Sequence, residues 1–274
     1  MEIKALAFDL DGTLLGPGAV LTERTLNAVK SCAKKGIQII LATGRAVEAS
    51  EQYRIPLGVS GPHVYFNGAI IAEMPERKIL HAALLEKKIA EFCVDLSREK
   101  RIYLQAFIPG NSKEKGQPLL AERESREREM YDNHTGILAK IVDLKEVLKK
   151  GETQGCIKCM FIAEPAILDQ IRPIINERFG NKVYLVKSTD HFLEILNPGV
   201  SKGQGLLLAL EKLGIDPNET IAFGDEENDL PMFKAAGFSV APANARETVI
   251  SGANLTIGSN TEDGVAAFLE ETFL

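Results

Sequence analysis

Two carboxylates, Asp9 and Asp11, stand two residues apart in "DLDGTLL", directly after the apolar run "IKALAF". Side chains alternate along an extended strand, so both project to one side with Cα atoms about 7 Å apart. Burying one carboxylate is costly, and a second like charge adds repulsion. A hard divalent cation cancels both effects, and oxygen ligands make Mg2+ the natural choice. Gly12 lets the chain turn sharply away behind the pair. Taken alone, the segment also reads as an ordinary Asx turn after a strand.

Three further polar clusters complement the first. Thr43 and Gly44 end the apolar run "IQIILATG". "GDEENDL" follows "TIAF" and supplies Asp225, Asn228 and Asp229. Lys202, in "NPGVSKGQG", opens a helix just upstream of that run. The carboxylates suit a cation, whereas the Lys202 ammonium, the Thr43 hydroxyl and backbone N–H groups suit a phosphate. The order in "SKGQG" is not that of a P-loop, because the Lys precedes the Gly. Asn67, in "YFNGA", reads equally as a substrate contact or as the Asn-Gly of a tight turn. Arg45 reads equally as a substrate contact or as the partner of an acid.

Positioning four such clusters requires strands whose carboxyl ends share one edge, the usual ligand site of an open α/β sheet. Short β-branched runs alternate with amphipathic stretches at both ends of the chain, as a doubly wound, mostly parallel, Rossmann-like sheet requires. "IKALAF" and "IQIILATG" are strands, with a helix between them capped by Thr22 and stopped at Gly36. "HVYFNGAII" is a third strand, and "TIAFGD", "FSVAP" and "ANLTIG" are three more. The middle differs. "RIYLQAFIPG", "GQPLLAE", "CIKCMFIA" and the hairpin "KVYLVKSTDHFLEIL" sit among the helices "ALLEKKIAEFCVDLSREK", "LKEVLKKG" and "PAILDQIRPIINERFG". Neighbouring strand pairs of this kind indicate an inserted α+β module over residues 83–190 within a core of residues 1–82 and 191–274. The mixed-charge run at 122–129 reads as a solvated helix or loop.

The 274 residues are 45% hydrophobic, ample for a core, and the net charge of −6 argues against a nucleic-acid partner. No apolar run has the length of a membrane span, and the chain enters a strand at once, so a cytoplasmic protein is expected. Cys156 and Cys159 form a C-x-x-C on a predicted strand, where residues three apart face opposite sides. They are therefore expected as buried apolar side chains that share neither a metal nor a disulfide. The histidines at 63, 81, 134 and 191 show no metal-ligand spacing and are expected in surface or packing roles.

"DLDGTLL", "ATGR", "SKGQGL" and "GDEENDLPM" together resemble the four motifs of the haloacid dehalogenase-like hydrolases, in order and across the chain. The inserted module resembles that of the Cof-type sugar-phosphate phosphatases, in which it acts as a cap domain. The resemblance implies that Asp9 is a nucleophile forming an aspartyl-phosphate and that Asp11 is the general acid and then the base. It implies that Mg2+ is held by Asp9, the backbone carbonyl of Asp11, and Asp225. Thr43, Gly44, Lys202 and Asn228 would hold the phosphoryl oxygens, and Asp229 would orient Lys202 or a metal-bound water. The substrate would be a small phosphorylated metabolite and the protein a monomer. A phosphosugar mutase would use the same residues. A phospho-acceptor signalling domain would also use an acidic pair, a Thr and a Lys around Mg2+, but without the inserted module or the late acidic cluster.

Overall fold

The structure is a computed structural model that describes residues 2–109, 118–150 and 155–274. These form two compact units. One comprises the chain up to Gly44, Ser50–His81 and Ser201–Leu274, and the other Arg45–Ala49 and Ala82–Val200. The second unit runs past residue 190 because Phe192–Leu196 pairs with both Tyr184–Thr189 and Lys158–Ile162 and cannot leave their sheet.

The first unit is built on a five-stranded sheet in the order Leu255–Ile257, Phe238–Pro242, Thr220–Phe223, Ala5–Phe8, Gln38–Leu41. Every neighbouring pair in it is parallel. Its two faces are apolar in different ways. One carries Leu6, Phe8, Leu41 and Phe223, packed with Val29 and Leu269 of the helices Glu23–Lys34 and Gly264–Phe273. The other carries the small side chains Ala5, Ala7, Ala222 and Ala241, which pack with Leu206 and Leu210 of the helix Lys202–Leu213. Helix Glu23–Lys34 starts at Thr22, whose side chain accepts a hydrogen bond from the Thr25 N–H, the usual N-cap geometry.

"HVYFNGAII" is not a third strand of this sheet. Gly61–Tyr65 and Ile70–Met74 are antiparallel partners in a separate three-stranded sheet with Lys78–Ala82. The chain reverses at Phe66–Gly68, where Phe66, Asn67 and Gly68 all have positive φ. A short apolar run broken by Asn-Gly thus resolves as a hairpin.

The second unit holds a six-stranded sheet in the order Tyr184–Thr189, Phe192–Leu196, Lys158–Ile162, Tyr103–Phe107, Leu119–Ala121, Lys140–Ile141. Only the last pair is parallel. Leu104, Cys159, Phe161 and Leu193 form a core with Cys93 of the helix Lys87–Lys100 and Leu168 of the helix Pro165–Phe179. The charged run reads out as the helix Arg126–Thr135, capped by Ser125. The first residues of "GQPLLAE" and the side chain of His134 lie outside the described residues. His63 is fully buried, with Nδ1 accepting from the Leu41 N–H at 3.3 Å. No helix among the described residues is long and apolar enough to cross a membrane.

The C-x-x-C cysteines are buried, free thiols, but they do not face opposite sides. Cys156 Sγ lies 3.4 Å from Cys159 Sγ. The segment is not one continuous strand. Gly155–Cys156 pairs with Leu85–Glu86, whereas Lys158–Ile162 pairs with Tyr103–Phe107. The bend at Ile157 between them resets the alternation of side chains.

Candidate active site

Asp9 follows the last residue of the central strand Ala5–Phe8, and its N–H donates to Phe223 O at 2.9 Å across to the next strand. Asp225 follows that next strand, Thr220–Phe223, by the same logic. Parallel pairing of the two strands therefore sets both acids at one edge. Lys202, first residue of the helix Lys202–Leu213, completes the group. Its Nζ donates to Asp9 Oδ1 and to Asp229 Oδ1, each at 2.6 Å. Carboxylate oxygens of Asp9, Asp225 and Asp229 all lie within 4.8 Å of one another, and all three residues are buried.

These carboxylates are not equivalent. Asp229 is saturated, because Oδ1 accepts from Lys202 while Oδ2 accepts from the Asp225 and Glu226 N–H groups at 3.0 Å. Asp9 uses Oδ1 for Lys202, and Asp225 uses Oδ1 for the Thr13 hydroxyl at 2.8 Å. The second oxygens of Asp9 and Asp225 have no hydrogen bond among the described residues. Asp229 is thus a positioning group, and Asp9 with Asp225 offers two oxygens for a ligand.

The electrostatics agree. Burial pushes the Asp9 carboxyl well above its ordinary pKa. Lys202 opposes that shift, and Asp229, Asp225 and Asp11 add to it. Burial, then the neighbouring Asp229, raises Asp225 to about 7. Burial alone would lower the Lys202 pKa, but the carboxylates of Asp229 and Asp9 outweigh it and keep the ammonium charged. One buried cation among three buried carboxylates leaves excess negative charge, the condition that a bound divalent cation relieves. The donor set therefore fits Mg2+.

The backbone packs closely against two of the carboxylates. Gly12 has φ +80, and a Cβ there would stand 2.1 Å from Asp225 Oδ2. A Cβ at Gly224 would stand 2.4 Å from Asp229 Cγ. The carbonyl of Gly12 is held from outside by Asn244 Nδ2 at 2.9 Å.

A second group gathers Thr43, Gly44, Asn67 and Asn228. The Thr43 N–H donates to Val64 O at 2.9 Å, and Thr43 O accepts from the Asn67 N–H at 3.0 Å. Asn67 Oδ1 accepts from Asn228 Nδ2 at 2.9 Å, and it would lie 3.2 Å from a Cβ at Gly44. The Asn228 Oδ1 is buried with no hydrogen-bond partner among the described residues. Asp11 is partly exposed, and its carboxylate is not among the three clustered ones. Arg45 is buried and belongs to the second unit. Thr13 and Asn244 carry site contacts that the sequence reading missed. Thr13 was within sight, since it follows Asp11 in the same motif. Asn244 carries no sequence signal, since only the fold brings it to Gly12.

The haloacid dehalogenase-like hydrolase family model matches residues 6–269. The chain belongs to that family. Phosphatase YwpJ of Bacillus subtilis is 30% identical over 98% of this chain and 99% of its own. The 5-amino-6-(5-phospho-D-ribitylamino)uracil phosphatase YitU of the same organism is 29% identical over 100% of this chain and 99% of its own. The crystal structure of TM0651 from Thermotoga maritima superposes with a TM-score of 0.85 at 26% identity, covering 100% of this chain and 98% of that one. A hydrolase family whose full-length relatives are named phosphatases supports a phosphatase.

Proposed function

We propose that this haloacid dehalogenase-like hydrolase is a Mg2+-dependent phosphatase of small phosphorylated metabolites, sugar phosphates foremost, acting through an aspartyl-phosphate on Asp9. The observation that carries the reading is the division of labour among the carboxylates: among the described residues both oxygens of Asp229 accept hydrogen bonds, while Asp9 and Asp225 each keep one oxygen without one. Asp9, Asp225 and the Asp11 main-chain carbonyl would hold Mg2+, which neutralises charge on the phosphoryl group. Sugar phosphates are favoured because a full-length relative is named for a substrate with a phosphorylated ribityl chain.

The chain's own residues then divide the chemistry. An Asp9 carboxylate oxygen attacks phosphorus, and the bond from phosphorus to the ester oxygen breaks. Asp11 gives its proton to the leaving alkoxide, which departs as the alcohol. Asp11, now ionised, takes a proton from water as that water attacks the same phosphorus. The bond from phosphorus to Asp9 breaks, releasing inorganic phosphate and restoring the carboxylate. Lys202 neutralises Asp9 in the resting enzyme and the phosphoryl oxygens during transfer, with Thr43, Gly44 and Asn228 as donors. Asp229 holds Lys202 in place. Asn67 orients Asn228.

The test is phosphate release from a panel of sugar phosphates, nucleotides and pyridoxal phosphate, with Mg2+ and with EDTA. Release from sugar phosphates that EDTA abolishes and Mg2+ restores is the expected result. Equal release in EDTA would overturn the metal assignment, and conversion of one sugar phosphate into an isomer without phosphate release would overturn hydrolysis.

A further inference from the structure

The second unit contains a cavity of about 740 Å3, within the size range of small-molecule sites. Every residue lining it belongs to that unit, and none belongs to the aspartate site. The apolar lining comes from Ile167, Ile171 and Ile174 of the helix Pro165–Phe179 and from Met130 of the helix Arg126–Thr135. Met130 and Ile167 are exposed although large and apolar.

The rim is cationic. Lys100, Arg101, Arg123 and Arg126 face it against two carboxylates, Glu127 and Glu164, in a chain whose net charge is −6. Lys100 pairs with the neighbouring Glu99. Among the described residues, no carboxylate lies within ion-pair distance of Arg101, Arg123 or Arg126. Arg123 is tied to the rim, its Nη2 donating to Arg101 O at 2.9 Å. The helix Pro165–Phe179 begins at the same rim, and its N-cap Glu164 makes no side-chain capping bond. A helix N-terminus adds favourable potential for an anion.

Arg101 is costly where it stands. It closes the helix Lys87–Lys100 in the left-handed region at φ 56, a position that glycine fills without strain. A long cationic side chain there contributes nothing to the backbone turn.

We propose that this cavity binds a small organic phosphate, its dianion held by Arg101, Arg123 and Arg126 and its apolar body lying on the isoleucine wall. Guanidinium groups match phosphate oxygens in bidentate geometry, and three without carboxylate partners among the described residues suit a dianion. The site is independent of the catalytic reading above.

The probe is benzylphosphonate, whose carbon–phosphorus bond a phosphatase does not hydrolyse. It is titrated in EDTA into the full-length protein carrying 13C-labelled isoleucine methyl groups. Saturable shifts of the Ile167, Ile171 and Ile174 methyl signals are expected. Arg123→Gln/Arg126→Gln should weaken them roughly tenfold or more, as loss of charge-assisted hydrogen bonds does. Arg101→Gly should weaken them while leaving the melting temperature unchanged or higher. Hydrolysis of p-nitrophenyl phosphate should stay at the wild-type rate in all of these variants. Absence of shifts at these methyl groups up to about 5 mM probe, a weak-binding limit, would overturn the proposal. So would shifts that the arginine variants leave intact.

Discussion

Lys202 Nζ donates to Asp9 Oδ1 at 2.6 Å with both side chains buried, so the proposed nucleophile is charge-compensated before any ligand arrives. The same ammonium holds Asp229. Removing one partner of a buried ion pair leaves the other uncompensated, at a cost of about 3–5 kcal/mol. Lys202→Ala should therefore lose stability as well as turnover. The expected fall in kcat is on the order of 100- to 1000-fold, typical for loss of a preorganised donor. Urea denaturation should show the stability deficit at pH 8 shrinking toward pH 5, because Asp9 can then take up a proton. A variant as stable as the wild type at pH 8 would contradict the compensating role. A change confined to KM would contradict the transition-state role.

Gly12 makes a sharper steric prediction. A Cβ at this position would clash with the Asp225 carboxylate, and φ +80 is unfavourable for any L side chain. Gly12→Ala should push Asp225 out of place and weaken Mg2+ activation at least tenfold, a modest value for a displaced ligand. Activity measured against Mg2+ concentration checks it. An unchanged Mg2+ dependence would show that Asp225 has no part in holding the metal.

Proton and metal compete at Asp225. Its folded pKa of about 7 lies above the ordinary value of 3.8, so between those limits the folded state binds more protons than the unfolded one. Stability from this group therefore falls as pH rises through that window. Mg2+ displaces the proton, and below pH 7 its apparent affinity should fall by up to about tenfold per pH unit. The rise in melting temperature on adding Mg2+ should thus be larger at pH 8 than at pH 6, and Asp225→Asn should shrink the difference, leaving the part that Asp9 contributes. A metal-induced rise independent of pH in the wild type would contradict this coupling.

Much of this arrangement is legible in the sequence, because strand edges announce themselves. Apolar runs ending in Asp9, Thr43 and Asp225 place those residues at the carboxyl ends of strands whatever the register. Lys202 is legible because its helix start is marked by the Ser201 cap. Three features were not. Asn244 reaches Gly12 across a separation of 232 residues, and no local pattern encodes such a contact. The Asn-Gly turn is one of the two readings of Asn67, but that it splits the apolar run into two strands of a separate sheet is not legible, since periodicity alone does not tell a strand from a tight hairpin. Cys156 and Cys159 meet because two short strands join at a bend, and alternation holds only within a continuous strand.

The proposed mechanism turns on a covalent step at Asp9, and labelling tests it directly. Asp11→Asn keeps the nucleophile but removes the group that activates water, so a phosphoryl enzyme should accumulate. The variant is mixed with 32P-labelled acetyl phosphate and Mg2+, quenched in acid and digested. Label is expected on the peptide containing Asp9, released by hydroxylamine and absent when Asp9→Asn is combined with Asp11→Asn. Label on any other residue, or full phosphate release by the Asp9→Asn single variant, would contradict it.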